Sequence, residues 1–281
     1  VANKGGKLVI SNLKQVGTGP TAISVTGIAQ TGNPGYSGGA LVLQGSSVSA
    51  ASQGITLNRE VSIAGRGPGS ANATGALVSI GYNTLAGGLT LSNPATQARA
   101  WATHGTTTIS GDVFLGTGSG DGNLFYGNGN WNISGLVTGV ETSNDRFLKS
   151  GNIVTATLWL QNANNTYAQS TRIDSGTVRV AVSSALGVNT GTGQIDLNNG
   201  TLEARTDFAS GFAGRTVRYR NNTSGTIFVD HDLSGPLSLG SGSLQNQTVT
   251  FGALIRDTGA NTVNFNYTGR NGYNISFTSA L

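Results

Sequence analysis

The sequence contains no cysteine and no methionine, and only 10% of its 281 residues are charged. Without cysteine the chain can form neither a disulfide nor a thiolate metal site, and it has no thiol nucleophile. The lack of both sulfur-containing residues suits a protein that works outside a cell, where sulfur is oxidised. The composition therefore favours an extracellular protein and excludes every function that needs a cysteine.

Long apolar runs and concentrated charge are also missing. No stretch reaches about 18 apolar residues, so we expect no transmembrane segment. The net charge is +4, and the 16 Lys and Arg residues form no basic tract with interleaved aromatics. We therefore expect no nucleic-acid partner. The chain begins at Val1 rather than Met and opens on no signal-like segment, so we interpret it as a processed or excised piece.

Glycine is abundant, with 44 residues, and hydrophobic residues still make up 37% of the chain. Short segments with apolar residues at every second position recur between glycine, asparagine and serine, which is typical of β-strands. The only candidate helix, 93–103, contains Pro94 and has no continuous apolar stripe. The pattern predicts an all-β protein with strands of three to five residues. The segments that show the alternation are 7–10, 22–25, 88–91, 177–180, 194–197, 201–204, 248–251 and 263–266.

Strands this short, with glycine at the turns between them, favour a solenoid over a β-sandwich. A corner motif supports this, since Tyr36, Tyr126 and Tyr167 each stand nine residues before a glycine. With Leu85 in the equivalent place, these anchors are spaced by 49, 41 and 41 residues. We predict one domain over 1–281, a β-solenoid of about 11–14 coils with roughly 20–25 residues each.

One part of the repeat resembles a known family. The segments Leu158–Leu160, Asn164–Tyr167, Ile173–Val180, Ala185–Gly187 and Asn199–Leu202 are similar to the autotransporter-associated β-strand repeat, best over 147–205. In place of the glycine pair that usually follows the tyrosine, this chain has Ala168-Gln169-Ser170. The resemblance implies a right-handed parallel β-helix in an extracellular or cell-surface bacterial protein, such as a secreted passenger.

Two glycine-rich segments could carry chemistry. Gly35-Tyr36-Ser37-Gly38-Gly39 has the spacing of a nucleophile elbow, but strand-like residues follow it where that motif requires a helix. We therefore interpret Ser37 as part of a corner. The loop around Asp121 is similar to a calcium-binding turn, yet calcium needs six to eight oxygen ligands and this loop offers one carboxylate. We expect a turn there, with a metal site at Asp121 as the alternative.

The densest group of charges lies between 215 and 232. Arg218 and Arg220 alternate onto one face, as do Asp230 and Asp232, which would lie about 7 Å apart on one strand. Two carboxyls at that distance suit an inverting glycosidase. We expect instead that these arginines and aspartates pair across neighbouring strands. A glycan- or polyanion-binding face would consist of Arg215, Arg218, Tyr219 and Arg220.

Threonine and tryptophan offer two further possibilities. Regular threonine rows would indicate ice binding, but no T-x-T motif recurs at coil spacing in this sequence. Trp101, Trp131 and Trp159 would stack on sugars if they were exposed on one wall, and would fill the core if they were buried. The sequence leaves the choice open.

We expect a non-enzymatic scaffold without cofactors, a passenger or surface-fibre subunit that serves adhesion or a surface layer. Its partners would be other surface proteins, surface glycans or further copies of itself. For self-assembly, Leu8, Val9 and Ile10 at one end would pair head to tail with Ile275 and Phe277 at the other. The alternative is a β-helical glycan-binding or glycan-cleaving protein, such as a polysaccharide lyase or hydrolase or a phage spike.

Overall fold

The computed structural model is all-β, with several parallel sheets, which is consistent with a β-solenoid or β-helix. It describes residues 6–12, 19, 21–25, 27–28, 37–45, 54–68, 75–92, 98–116, 122–139, 146–149, 155–189, 194–207, 211–220, 224–231, 246–257 and 264–280. Tyr36, Asp121 and Asp232, which the sequence analysis singled out, lie outside these ranges.

The described strands are, in chain order, β1 (Lys7–Ile10), β2 (Ile23–Val25), β3 (Gly27–Ile28), β4 (Ser37–Gly38), β5 (Ala40–Gln44), β6 (Ile55–Leu57), β7 (Val61–Ala64), β8 (Leu77–Ile80), β9 (Asn83–Leu85), β10 (Leu89–Ser92), β11 (Ala98–Ala102), β12 (Thr106–Ile109), β13 (Val113–Leu115), β14 (Asn123–Gly127), β15 (Asn130–Ile133), β16 (Val137–Gly139), β17 (Arg146–Lys149), β18 (Thr157–Leu160), β19 (Ser170–Ile173), β20 (Thr177–Val180), β21 (Ile195–Leu197), β22 (Thr201–Arg205), β23 (Val217–Tyr219), β24 (Ser224–Asp230), β25 (Thr248–Arg256), β26 (Asn264–Gly269) and β27 (Asn274–Ala280). Within the described residues, one 3-10 turn, Ser183–Leu186, lies between β20 and β21.

Three parallel sheets contain nearly all of these strands. The largest has the order β1-β5-β8-β11-β14-β17-β19-β21-β23-β25-β27, the second β6-β9-β12-β15-β18-β20-β22-β24-β26, and the third β2-β7-β10-β13-β16. The short pair β3 and β4 is antiparallel. Apart from β3 and β4, consecutive strands belong to different sheets, and each strand pairs with one that comes a full circuit of the sheets later.

The circuit length agrees with the predicted coil length but not with the predicted anchors. Between β6 and β24, paired residues are 20 to 28 positions apart, as in Leu158 with Val178 and Val61 with Leu89. The 41-residue spacing is wrong as a structural repeat. Leu85 lies in the nine-stranded sheet, Tyr126 lies in the eleven-stranded sheet, and Tyr167 lies in a connection.

A glycine repeat marks the true period. Gly87, Gly111 and Gly135 are each 24 residues apart and occupy equivalent corners, because their N–H groups donate to the carbonyls of Leu57, Leu85 and Ile109 respectively. A Cβ on any of the three would collide with the backbone of the preceding circuit. Only glycine lets the chain pass this closely over itself.

Alternation along each strand builds the core. In β20, Val178 and Val180 are buried while Thr177 and Arg179 are half-buried on the outer face. Because the strands pair in parallel register, equivalent side chains of neighbouring strands lie next to each other. A buried aliphatic row runs through eight consecutive strands of the nine-stranded sheet: Leu57, Leu85, Ile109, Ile133, Leu160, Val180, Ala204 and Val229.

Each of the eight segments predicted from alternation overlaps a strand of the structure, and residue 263 lies outside the described ranges. The predicted strand length is too short near the C-terminal end, where β24, β25, β26 and β27 have 7, 9, 6 and 7 residues. Ser37 lies in the short strand β4, and β5 follows it where a nucleophile elbow would require a helix.

Candidate functional site

The two ends of the stacked sheets form the candidate site. In the eleven-stranded sheet β1 is the first strand and β27 the last, so each has one edge that pairs with no other described strand. β26 occupies the same terminal position in the nine-stranded sheet. We call Leu8 and Val9 the head end, and the terminal strands β26 and β27 the tail end.

At the head end, the core row of the large sheet stops at an exposed side chain. Leu8 is in register with the fully buried Leu41, which in turn pairs with the fully buried Leu77. Leu8 is nevertheless 52% exposed and its neighbour Val9 is 45% exposed, since β1 is the outermost strand. Ile10, which was predicted to belong to this end surface, is fully buried, so its side chain is not exposed there.

At the tail end, aromatic side chains that point toward the core are exposed. Phe265 and Tyr267 of β26 are in register with Gly225 and the buried Ile227, yet they are 42% and 38% exposed. The predicted end residues Ile275 and Phe277 pair with the buried Val249 and Phe251 and are themselves half-buried.

Contacts between aromatic side chains stabilise the tail end. Phe265 lies 5.8 Å from Phe277 and 5.6 Å from Tyr219 between ring centroids, both in edge-on arrangements. The Tyr267 hydroxyl donates to the carbonyl of Tyr273 over 2.5 Å, and burial raises its pKa. Such contacts add a specific geometry to the apolar area. The tail end is therefore an ordered surface with its rings fixed in place.

The predicted basic face does not exist as one surface. Arg218 and Arg220 lie on the outer side of the large sheet, but alternation turns Tyr219 inward, where it is 3% exposed and burial raises its pKa. Arg215 is also buried, which lowers its pKa. Its guanidinium donates to the carbonyls of Ser183, Gly187 and Val188. Arg215 thus stabilises the 3-10 turn and the residues after it, and its side chain is buried below the surface.

The arginines of β23 pair with a different aspartate from the predicted ones. Arg218 donates from Nε and Nη2 to the two oxygens of the fully buried Asp196, at 2.8 and 2.6 Å. This bond raises the pKa of Arg218. Arg220 reaches the same carboxylate at 3.3 Å. The prediction of pairing with Asp230 is wrong, because β23 and β24 belong to different sheets.

Asp230 belongs to a chain of ion pairs on the nine-stranded sheet. Its Oδ2 accepts from Arg205 at 2.5 Å, and its Oδ1 accepts from the His231 N–H and from Asn271. Arg205 and Arg179 both bind Glu203. The Asp230 side chain is 4% exposed. A carboxylate held by three donors and closed to solvent is arranged as a structural anchor, and a general base would have to break these bonds.

The three tryptophans divide between core and surface. Trp131 is fully buried, with its ring 5.1 Å from that of Phe125. Trp101 and Trp159 are half-buried on strands of two different sheets, so no single wall presents all three. Within the described ranges, no group of three His, Asp or Glu residues is placed to hold a metal ion. The described part of the chain also contains no helix long and apolar enough to cross a membrane.

Phe265 and Tyr267 were not predicted as end residues, although their alternation with polar residues is visible in Val263-Asn264-Phe265-Asn266-Tyr267. Alternation reveals that these rings point inward, but it does not reveal that β26 is a terminal strand. Comparison with protein-family models, with curated proteins and with solved structures found no match for this chain.

Proposed function

We propose that this chain is a right-handed parallel β-solenoid that acts as a non-enzymatic, extracellular scaffold, a passenger or surface-fibre subunit of a bacterium whose copies join head to tail. Three features support the proposal: the sequential parallel sheets, the lack of sulfur-containing residues, and the resemblance of 147–205 to a repeat of secreted bacterial passengers. Its partner in assembly is a second copy of the same chain.

One observation carries the proposal. Of the five large hydrophobic side chains that are exposed in the described ranges, Leu8, Val9, Phe265 and Tyr267 lie on terminal strands, and only Phe114 lies elsewhere. Exposed apolar groups are normally scattered. Their concentration at the two ends, next to strand edges that can pair with another chain, is typical of an interaction surface.

The two ends are complementary in register. The inward side chains of β27 are Ile275 and Phe277, and those of β1 are Leu8 and Ile10, each pair two residues apart. If β1 of one copy pairs in parallel with β27 of another, the rows of core side chains continue from one copy into the next. The edge N–H and C=O groups would then be satisfied as in any internal ladder.

Such a joint uses different surfaces on its two partners. A heterologous contact leaves one free head and one free tail on every dimer, so addition continues and an open filament results. Filament growth by stacking suits a structural role at a cell surface.

The test uses two variants that each block one end. Leu8→Asp places a charge at the head end and Phe265→Asp places one at the tail end, where burying it would be costly. We expect each variant alone to remain monomeric in sedimentation velocity, because its unmodified end can only meet the substituted end of another copy. An equimolar mixture should form dimers only, since one intact head meets one intact tail.

Phe114→Asp is the matched control, because Phe114 is 44% exposed but lies on the five-stranded sheet away from both ends. This variant should assemble like the unmodified chain. Dimers formed by either end variant alone would contradict the proposal, as they would indicate a symmetric head-to-head or tail-to-tail contact. Monomers in the mixture, with an unmodified chain that is monomeric at all concentrations, would also contradict it.

A further inference from the structure

The outer face of the nine-stranded sheet carries a row of threonines. Thr157, Thr177, Thr201 and Thr226 are in register on the consecutive strands β18, β20, β22 and β24, and all four are half-buried. No T-x-T motif recurs at coil spacing, whereas this row has one threonine on each strand. The intervals of 20, 24 and 25 residues are uneven, and this hid the row.

The row presents hydroxyl groups at regular distances. Strand neighbours are about 4.8 Å apart, so the four threonines cover about 14 Å along the stack. None of the four hydroxyls hydrogen-bonds to another residue within the described ranges. They are therefore open to a ligand that runs along the stack, across the strands.

A second row lies beside the first, two residues further along each strand. It consists of Trp159, Arg179, Glu203 and Phe228. The Arg179 guanidinium lies 5.6 Å from the centre of the Trp159 ring. Phe228 is flanked by the guanidinium groups of Arg205 at 4.8 Å and Arg270 at 5.3 Å. We call these two rows together with Arg205 and Arg270 the outer stripe.

In the outer stripe, the carboxylates are buried more deeply than the guanidinium groups. The carboxylates that pair with its arginines are nearly closed to solvent, with side-chain exposures of 9% for Glu203 and 4% for Asp230. Arg179 keeps 28% of its side chain exposed. Arg270 is exposed and forms no ion pair with another described residue. Solvent therefore meets guanidinium groups, rings and hydroxyls, and hardly any carboxylate.

We propose that the outer stripe binds a linear acidic polysaccharide, a chain of uronic acid residues lying along the stack. Each sugar extends such a chain by about the distance between neighbouring strands, so successive sugars would meet equivalent threonines. Threonine hydroxyls bond sugar hydroxyls, the rings of Trp159 and Phe228 stack on sugar faces, and Arg179 and Arg270 bind carboxylates.

A nucleic acid is less well matched to this surface. Its affinity depends on neutralising several phosphates at once, and most arginines of the stripe already bind carboxylates of the protein. A uronic acid chain has a lower charge density and more hydroxyl groups. The binding inferred here goes beyond the scaffold role and does not depend on head-to-tail assembly.

The experiment is affinity electrophoresis in gels containing polygalacturonate, done on the Leu8→Asp chain so that stacking cannot add avidity. We expect polygalacturonate to retard this chain and dextran to leave its mobility unchanged. Adding Trp159→Ala and Arg270→Gln should weaken retardation by about tenfold or more, as loss of central contacts does at other interfaces. Adding Phe114→Ala instead should change nothing. Circular dichroism of each variant checks that the fold is retained.

Three results would overturn the inference. The first is an unchanged mobility of the folded Leu8→Asp chain in polygalacturonate. The second is equal retardation of the folded variant that lacks Trp159 and Arg270, which would place binding elsewhere. The third is equally strong retardation by single-stranded DNA, which would indicate attraction by charge alone. None of these results bears on assembly, which the end variants test separately.

Discussion

Substitution of Gly111 by alanine tests whether successive circuits of the chain press against each other as closely as described. A Cβ at this position would lie 2.5 Å from the Ala86 carbonyl oxygen and 2.8 Å from the Gly87 carbonyl carbon, and closer still to the Gly88 nitrogen. All three atoms are backbone. They are held in place because the N–H groups of Ser110 and Gly111 both donate to Leu85.

The expected cost follows from two opposing effects. Replacing glycine by alanine restricts the unfolded chain and by itself stabilises a protein by about 0.4–1 kcal/mol. Forcing an extra methyl group into a packed region costs about 1–3 kcal/mol, and here no flexible side chain can move aside. The steric effect prevails, so we expect the free energy of unfolding to fall by about 1–2 kcal/mol.

Gly6→Ala is the matched control, because a Cβ on Gly6 would have no atom within 4 Å. This variant should be as stable as the unmodified chain or slightly more stable. Chemical denaturation followed by far-ultraviolet circular dichroism compares the three chains through their midpoints. If Gly111→Ala unfolds at the same midpoint as Gly6→Ala, the circuits are not in the register described.

Two further predictions concern buried ionisable groups. Asp196→Asn should lower the free energy of unfolding by about 1–3 kcal/mol, because Arg218 and Arg220 lose their shared buried partner. Asp257→Asn, whose pair with Arg220 is longer and partly exposed, should cost less than about 1 kcal/mol in the same denaturation assay, and equal effects would contradict the assignment. Burial raises the pKa of Tyr167 and Tyr219, and burial with the carboxylates of Asp207 and Asp230 raises that of Tyr273 to about 12. The unfolded tyrosines lose their protons near pH 10, so stability is complete below that pH and falls above it by about 4 kcal/mol per pH unit until the folded values are reached. Tyr219→Phe should reduce this slope, measured by denaturation at several alkaline pH values, by about 1.4 kcal/mol per pH unit, and an unchanged slope would contradict its burial.

Local alternation was sufficient to predict the strands. The segments 177–180 and 201–204 were assigned from apolar residues at every second position, and both form strands. Burial alternates along β20, whereas in β22 the outward Glu203 is buried as well. Glycine corners were also visible as turns. These features depend on residues within a few positions of each other, and the sequence displays them directly.

Pairing between distant residues was not predictable in the same way. Arg218 was expected to meet Asp230, twelve residues on, but it binds Asp196, which is 22 residues earlier. The tyrosine anchors indicated a period of 41, whereas Gly87, Gly111 and Gly135 recur at 24. The 24-residue glycine interval was present in the sequence. It identifies the structural period only once the glycine corners are known to lie on top of each other.

The end surfaces show the same limit at the candidate site. The composition of β1 and β27 indicated apolar edges, and the structure places these strands at opposite edges of one sheet. It also removes Ile10 from the surface and adds Phe265 and Tyr267. Whether an inward residue is buried or exposed depends on whether another circuit covers it, and no local pattern contains that information.

Electron microscopy of the unmodified chain, stained at a series of concentrations, tests the proposed assembly most directly. If the ends join as proposed, rods lengthen with concentration into unbranched filaments whose width stays that of a single chain. Phe265→Asp, stained beside it, should give only short rods. Short single rods of the unmodified chain at every concentration, or aggregates without a constant width, would contradict head-to-tail stacking.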